Sequence, residues 1–112
     1  MKRIDAVIRR EQFGQVKSAL EKAQCPGMMV FTFRGHGRQG GLTETHGGRP
    51  YKMELLPKVL LTIFVNDEEA ARIVETITGS AKTGKIGDGK IFVSQAENAV
   101  RIRTGEEGSL AI

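Results

Sequence analysis

The residues best suited to chemistry lie in one short run, Thr83-Gly84-Lys85-Ile86-Gly87-Asp88-Gly89-Lys90. Gly84, Gly87 and Gly89 allow the backbone to approach a ligand closely and to turn its N–H groups inward. Lys85 and Lys90 add positive charge. Together these features describe a cradle for phosphate. Gly84 to Lys90 formally fits the GxxxxGK part of a P-loop, but Ile91 stands where Ser or Thr is required. The run also leads into a strand-like segment, whereas a P-loop leads into a helix. The bland alternative is a tight glycine-rich turn with solvated lysines.

Arg101 and Arg103 are two residues apart in a segment, Ala99–Arg103, that reads as a short strand. In a strand both point to one face, with Val100 and Ile102 on the other. Paired guanidinium groups suit a phosphate chain. They equally suit a solvated edge strand, where charge discourages aggregation. Gly35-His36-Gly37-Arg38-Gln39 offers a further cation and an amide, and Lys58 opens the third strand. His36 and His46 match no standard metal-ligand spacing. Cys25, beside Pro26, reads as a packed helix end. Glu68-Glu69 suits a helix start, and Glu106-Glu107 a solvated surface. No nucleophile, general base or paired catalytic carboxylates emerge, so an enzyme is not expected.

The elements that must position these residues follow from periodicity. A first helix is predicted over about Glu11 to Gln24, with Phe13, Val16, Ala19 and Leu20 on one face and Pro26-Gly27 ending it. A second is predicted from Asn66, an N-cap with Glu69 as its capping-box partner, through Ala70, Ile73, Val74 and Ile77. Arg3–Arg9, Met28–Arg34, Lys58–Val65 and Lys90–Ser94 read as strands. Strand-helix-strand, a long connection, then strand-helix-strand is the ferredoxin-like double βαβ pattern of an α+β protein. The connection from His36 to Leu56 has no period and exceeds the ~12–15 residues at which an unstructured loop is usually functional or disordered.

Two helices cover one face of such a sheet. The other face still carries Leu60, Phe64, Met29, Phe31 and Phe33. An apolar patch of that size on a small domain usually meets a partner. The alternative is an ordinary half-buried sheet. Overall composition is that of one globular domain: 112 residues, 39% hydrophobic and 27% charged. The charge of +4, from 17 basic and 13 acidic side chains, favours anionic partners without choosing among them. A single cysteine leaves no internal disulfide and no Cys-based zinc site. No apolar run approaches the ~20 residues that cross a bilayer, and Met1-Lys2-Arg3-Ile4-Asp5 has no signal-like core. A cytoplasmic location is expected.

The sequence resembles the PII family of nitrogen-regulatory signalling proteins over essentially the whole chain. Thr83 to Val93 resembles the family's B-loop signature, about residues 82–90. Arg101-Ile102-Arg103-Thr104-Gly105-Glu106 resembles its C-loop, about 101–109. Gly35, Gly37, Arg38 and Gln39, with Leu56-Pro57-Lys58, resemble the two bases of the long T-loop, about 36–56. Tyr51 falls where many members carry a modifiable tyrosine.

The resemblance implies a single PII-like domain over 1–112, a stable homotrimer, and three clefts between subunits that bind ATP or ADP. It implies that Ile86, Gly87, Asp88, Gly89 and Lys90 of one subunit, with Gly35, Gly37 and Arg38, surround the phosphates, and that Arg101, Ile102 and Arg103 approach from the neighbour. Met29 and Phe64 take positions near base and ribose, where the family commonly has Thr and Val. Gln39 helps hold Mg2+ together with ATP and 2-oxoglutarate; Lys58, Arg9 and the Gly87 backbone complete that pocket. Gly40 stands where many members have lysine, so 2-oxoglutarate is expected to bind weakly and only with Mg-ATP. T-loop targets would be ammonium transporters or nitrogen-metabolism enzymes, with the membrane approached only through a transporter. The alternative is an adenylate-only sensor of a divergent branch with a different transporter or enzyme target. An RNA-recognition module shares the strand order, but the first strand has no aromatic for base stacking, and nucleic acid is not an expected partner.

Overall fold

The computed structural model describes residues 1–35 and 56–112. The chain runs β1 (Lys2–Arg9), a 3₁₀ turn (Arg10–Gln12), α1 (Phe13–Lys22), β2 (Met28–Gly35), β3 (Leu56–Val65), α2 (Asp67–Ala81) and β4 (Gly89–Gln95), with a closing 3₁₀ turn at Gly108–Ala111. The strands form one sheet in the order β2-β3-β1-β4, every neighbour antiparallel. This is the expected ferredoxin-like α+β arrangement.

Alternation with period 2 decides which side chains enter the core. Ile4, Ala6 and Ile8 of β1 stand opposite Ile63, Leu61 and Val59 of β3. All are buried, as are Val16 and Leu20 of α1 and Ala70, Ile73 and Ile77 of α2. Both helices lie on this side. Each large aliphatic side chain buried here contributes about 1.5–3 kcal/mol relative to exposure. The other side of the sheet carries Met29, Phe31, Phe33 and Phe92, each more than a third exposed, beside half-buried Leu60 and Phe64. A polar island interrupts it. Asp5 accepts from Thr62 Oγ1 at 2.7 Å and from Arg3 Nε at 2.8 Å, and the Arg3 guanidinium lies 5.8 Å from the Phe64 ring centre. Burial raises the Asp5 pKa, but these hydrogen bonds and the Arg3 charge outweigh it and hold the carboxyl below its ordinary value.

Several local expectations are corrected. The first helix is shorter than Glu11 to Gln24 because it begins with a 3₁₀ turn and ends in a Schellman arrangement. Gln24 adopts a φ of 56° there, its N–H reaching Glu21 O and that of Cys25 reaching Leu20 O. The chain has therefore left the helix before Pro26. Asn66 precedes α2, but its side chain makes no capping bond. Its backbone oxygen accepts from Glu69 N, and the Glu69 carboxylate pairs with Arg72. Leu56 belongs to β3, paired with Gly35, rather than to the long connection. Ala99–Arg103 is not a strand: only an isolated bridge, Val100 to Glu107, forms there, closing a turn.

Candidate functional site

The glycine-rich run lies where α2 hands the chain to β4. Beyond Ala81 the backbone is extended at Lys82, then turns tightly and enters β4 at Gly89. Gly84, Gly87 and Gly89 take φ of 88°, 103° and 106°, the left-handed region that glycine enters without penalty. At Gly89 a second constraint applies, because a Cβ there would overlap the carbonyl oxygen of Val7 on β1.

Asp88 organises the turn. Its carboxylate accepts from Thr83 Oγ1, from the amides of Thr83 and Gly84 at 2.8 Å each, and from Arg9 Nε at 2.9 Å. The Thr83 and Arg9 side-chain bonds outweigh desolvation and hold this carboxyl well below the usual carboxylate range. Arg9 Nη2 also donates to Ile86 O, and Lys58 Nζ to Gly87 O, both at 2.7 Å. Burial, with Arg9 nearby, lowers the Lys58 pKa from its ordinary value. The amides of Ile86, Gly87 and Asp88 donate to no acceptor among the described residues. Successive N–H groups left over on a left-handed glycine turn are backbone of the kind that can bind an anion. Exposed Lys85 and Lys90 flank it, with Lys90 paired to Val7 on the uncovered sheet face. Beneath the loop a groove of about 260 Å³ lies between Val74, Thr78 and Lys82 of the α2 end and Ile91 of β4.

Gly35, Leu56, Lys58, Arg9 and Gly89 all sit at the same end of the sheet, because β2 ends there and β3 begins there. A Cβ on Gly35 would press on the Phe33 ring at 3.1 Å. The structure thus brings Gly35, Lys58, Ile86, Gly87, Asp88, Gly89 and Lys90 together. It does not bring Met29 and Phe64 to them. Those two lie on the same uncovered face but at the far end, Phe64 six residues along β3 from Lys58, about 20 Å at strand rise.

Arg101 and Arg103 also stand apart. Gly105 N donates to Arg101 O at 2.7 Å and Arg101 N to Glu106 O at 2.8 Å, making a tight turn with Gly105 at φ 74°. The expected alternation fails, since Ile102 at the tip is 99% exposed. The Arg101 side chain reaches Leu110 O and faces Glu106 Oε1 at 3.7 Å. Among the described residues neither arginine bonds to the 83–90 loop. Gly37, Arg38, Gln39 and Tyr51 lie outside the described residues. The resemblance places Arg9 near the Gly87 backbone but does not foresee its bond to Asp88, a contact spanning 79 residues of sequence. The pairing of Thr83 with Asp88 was open to inspection, because Ser, Thr, Asp and Asn commonly bond to backbone a few residues away.

Comparison with known proteins agrees with this anatomy. The family model described as nitrogen regulatory protein P-II matches residues 1–106. The chain is 55% identical over 112 residues to nitrogen regulatory protein P-II 2 of Methanothermobacter thermautotrophicus, covering all of this chain and 97% of that one. It is 46% identical over 112 residues to the nitrogen regulatory protein P-II of Rhodobacter capsulatus, covering both chains entirely. The P-II protein of Nostoc punctiforme is 45% identical over the same span, again with full coverage of both.

Proposed function

The chain belongs to the P-II family of nitrogen regulatory proteins, and from that premise we propose that it is a non-catalytic sensor of ATP and ADP whose nucleotide sites lie between copies of itself. The observation that carries this reading is the separation of the site into two sets. One chain builds the phosphate loop at one end of its sheet and holds Met29 and Phe64 at the other. Arg101 and Arg103 lie on a third element that, among the described residues, bonds to neither. A second copy supplies the missing half. The uncovered apolar face gives the copies a surface on which to meet, and burial of Phe31, Leu60 and their neighbours stabilises the assembly. The assembly is a homotrimer that persists without nucleotide.

In this reading the Ile86 and Gly87 amides and Lys90 bind the phosphates, with Gly35, Gly37 and Arg38 alongside. The neighbour's Arg101 and Arg103 neutralise the phosphate chain, and its Met29 and Phe64 contact base and ribose. Mg2+ and 2-oxoglutarate join ATP through Gln39 and Lys58. The 36–55 segment, including Tyr51, docks on a nitrogen-metabolism enzyme or an ammonium transporter.

An adenylate-only sensor is the second reading. The Arg9 and Lys58 cations, the ones expected at a dicarboxylate pocket, are both already bonded to loop acceptors. Calorimetric titration with ATP, ADP and a short RNA tests the first reading, with binding of both nucleotides and no RNA binding as the expected outcome. RNA binding without nucleotide binding would overturn it. Adding 2-oxoglutarate to the Mg-ATP-loaded protein separates the readings. A weak ATP-dependent isotherm supports the fuller sensor, and none supports the adenylate-only one.

A further inference from the structure

The phosphate loop does not owe its shape to glycine alone. Asp88 closes it from within, gathering the Thr83 and Gly84 amides and the Thr83 hydroxyl. Arg9, the last residue of β1, grips this closure at two points, Asp88 Oδ1 and Ile86 O. Two nitrogens of the Arg9 guanidinium thus meet different parts of the loop, and the amides of Ile86, Gly87 and Asp88 across this span have no acceptor among the described residues. The Arg9 side chain is only 15% exposed. Its remaining neighbour is Glu11 at 3.8 Å, and Lys58 holds the adjacent Gly87 carbonyl.

From this geometry we infer that Arg9 and Asp88 form a positioning pair that aims the Ile86 and Gly87 amides at the phosphates, with neither side chain touching the nucleotide. The inference rests on the nucleotide reading above and concerns how that site is built. An Asp88 carboxylate directed at a phosphate would repel it. Directed into the loop, with its acceptors occupied by four donors, it acts as a structural anchor. Arg9 commits Nε and Nη2 to the loop, while its Nη1 faces Glu11 rather than the loop.

The two charges have opposite signs, which makes the pair separable from plain electrostatics. Asp88→Asn removes a negative charge beside a polyanion. If charge alone mattered, ATP affinity would rise. The positioning role makes it fall, by about tenfold, the scale of one lost charge-assisted hydrogen bond. Arg9→Lys keeps the charge but cannot span Asp88 and Ile86 together, and a similar fall is expected. The double variant should be no more than about twofold weaker than either single one, because both act through one structure. Calorimetry with ATP and ADP reads the affinities, thermal unfolding reports whether each variant folds, and amide exchange without nucleotide should be faster at Thr83 and Gly84 in both. If Asp88→Asn fails to fold, Arg9→Lys and its exchange pattern decide. Unchanged or tighter ATP binding by Asp88→Asn, or wild-type affinity in Arg9→Lys, would overturn the positioning role. A wild-type protein that binds no nucleotide would instead overturn the reading of the site itself.

Discussion

The two ends of the sheet are built in opposite ways. At the end where β1 stops and β4 starts, polar groups are tied to one another: Asp88 to Thr83, Gly84 and Arg9, and Lys58 to Gly87. Shape is fixed there before any ligand arrives, and the groups left over are N–H donors and lysines. At the other end, and across the uncovered face, the leftover groups are the apolar side chains Met29, Phe31 and Phe92, with the exposed Ile102 at the tip of the arginine-bearing turn. The first end resembles a finished half-site, the second a surface awaiting its counterpart. Pre-ordering lowers the entropic cost of gripping a phosphate chain. Uncovered aromatic area has the complementary use of driving association.

The largest expected effect falls on the finished end. Gly89→Ala places a methyl group against the Val7 carbonyl in a left-handed backbone, so loop and strand cannot keep their present register. Nucleotide binding should fall at least a hundredfold by calorimetry while assembly survives. Loss of assembly as well would show that the two ends are not independent.

The unfinished end is broken by Leu60→Glu, which puts an unpaired charge on the uncovered face, at a burial cost of several kcal/mol or more where no partner group compensates it. Light scattering should show smaller species, and ATP affinity should fall with them. A Leu60→Glu protein that keeps its assembly would remove this face from the interface.

Neutralising Lys90, Arg101 or Arg103 singly sharpens the contrast. Each should weaken ATP by about 1.5–3 kcal/mol and adenosine much less, since the loss is of charge-assisted bonds to phosphate. Equal losses for both ligands would make these residues structural. Smallest is Thr83→Val, which deletes one hydroxyl donor to Asp88. About 1 kcal/mol of ATP affinity should go, with assembly unchanged. No change would mean the backbone amides alone hold the carboxylate.

Much of the finished end was legible from sequence because its signals are local. Alternating apolar residues in β1 and β3 fixed the covered face, and three glycines with two lysines marked the loop. What escaped were non-local or partner-dependent features. The resemblance puts Arg9 near the loop, yet nothing local pairs it with Asp88 until the fold brings the two together. The Val100-Arg101-Ile102-Arg103 alternation copies a strand, yet with no strand beside it among the described residues, local bonds at Gly105 and Glu106 turn the chain back. Asn66 carries the right side chain for a cap, but backbone bonding there leaves the side chain unused.

The central claim is that one nucleotide site takes its loop from one copy and its arginine turn from another. Mixing two defective proteins tests it most directly. Gly89→Ala chains keep the turn and lack the loop, and Arg101→Ala/Arg103→Ala chains keep the loop and lack the turn. Each alone should bind ATP poorly. Coexpressed in equal amounts so that copies combine at random, they should recover tight ATP binding in about a quarter of all sites, the fraction in which an intact loop faces an intact turn across a head-to-tail interface. A mixed assembly that binds no better than its parents would contradict the account, because it would place both halves of the site within a single chain.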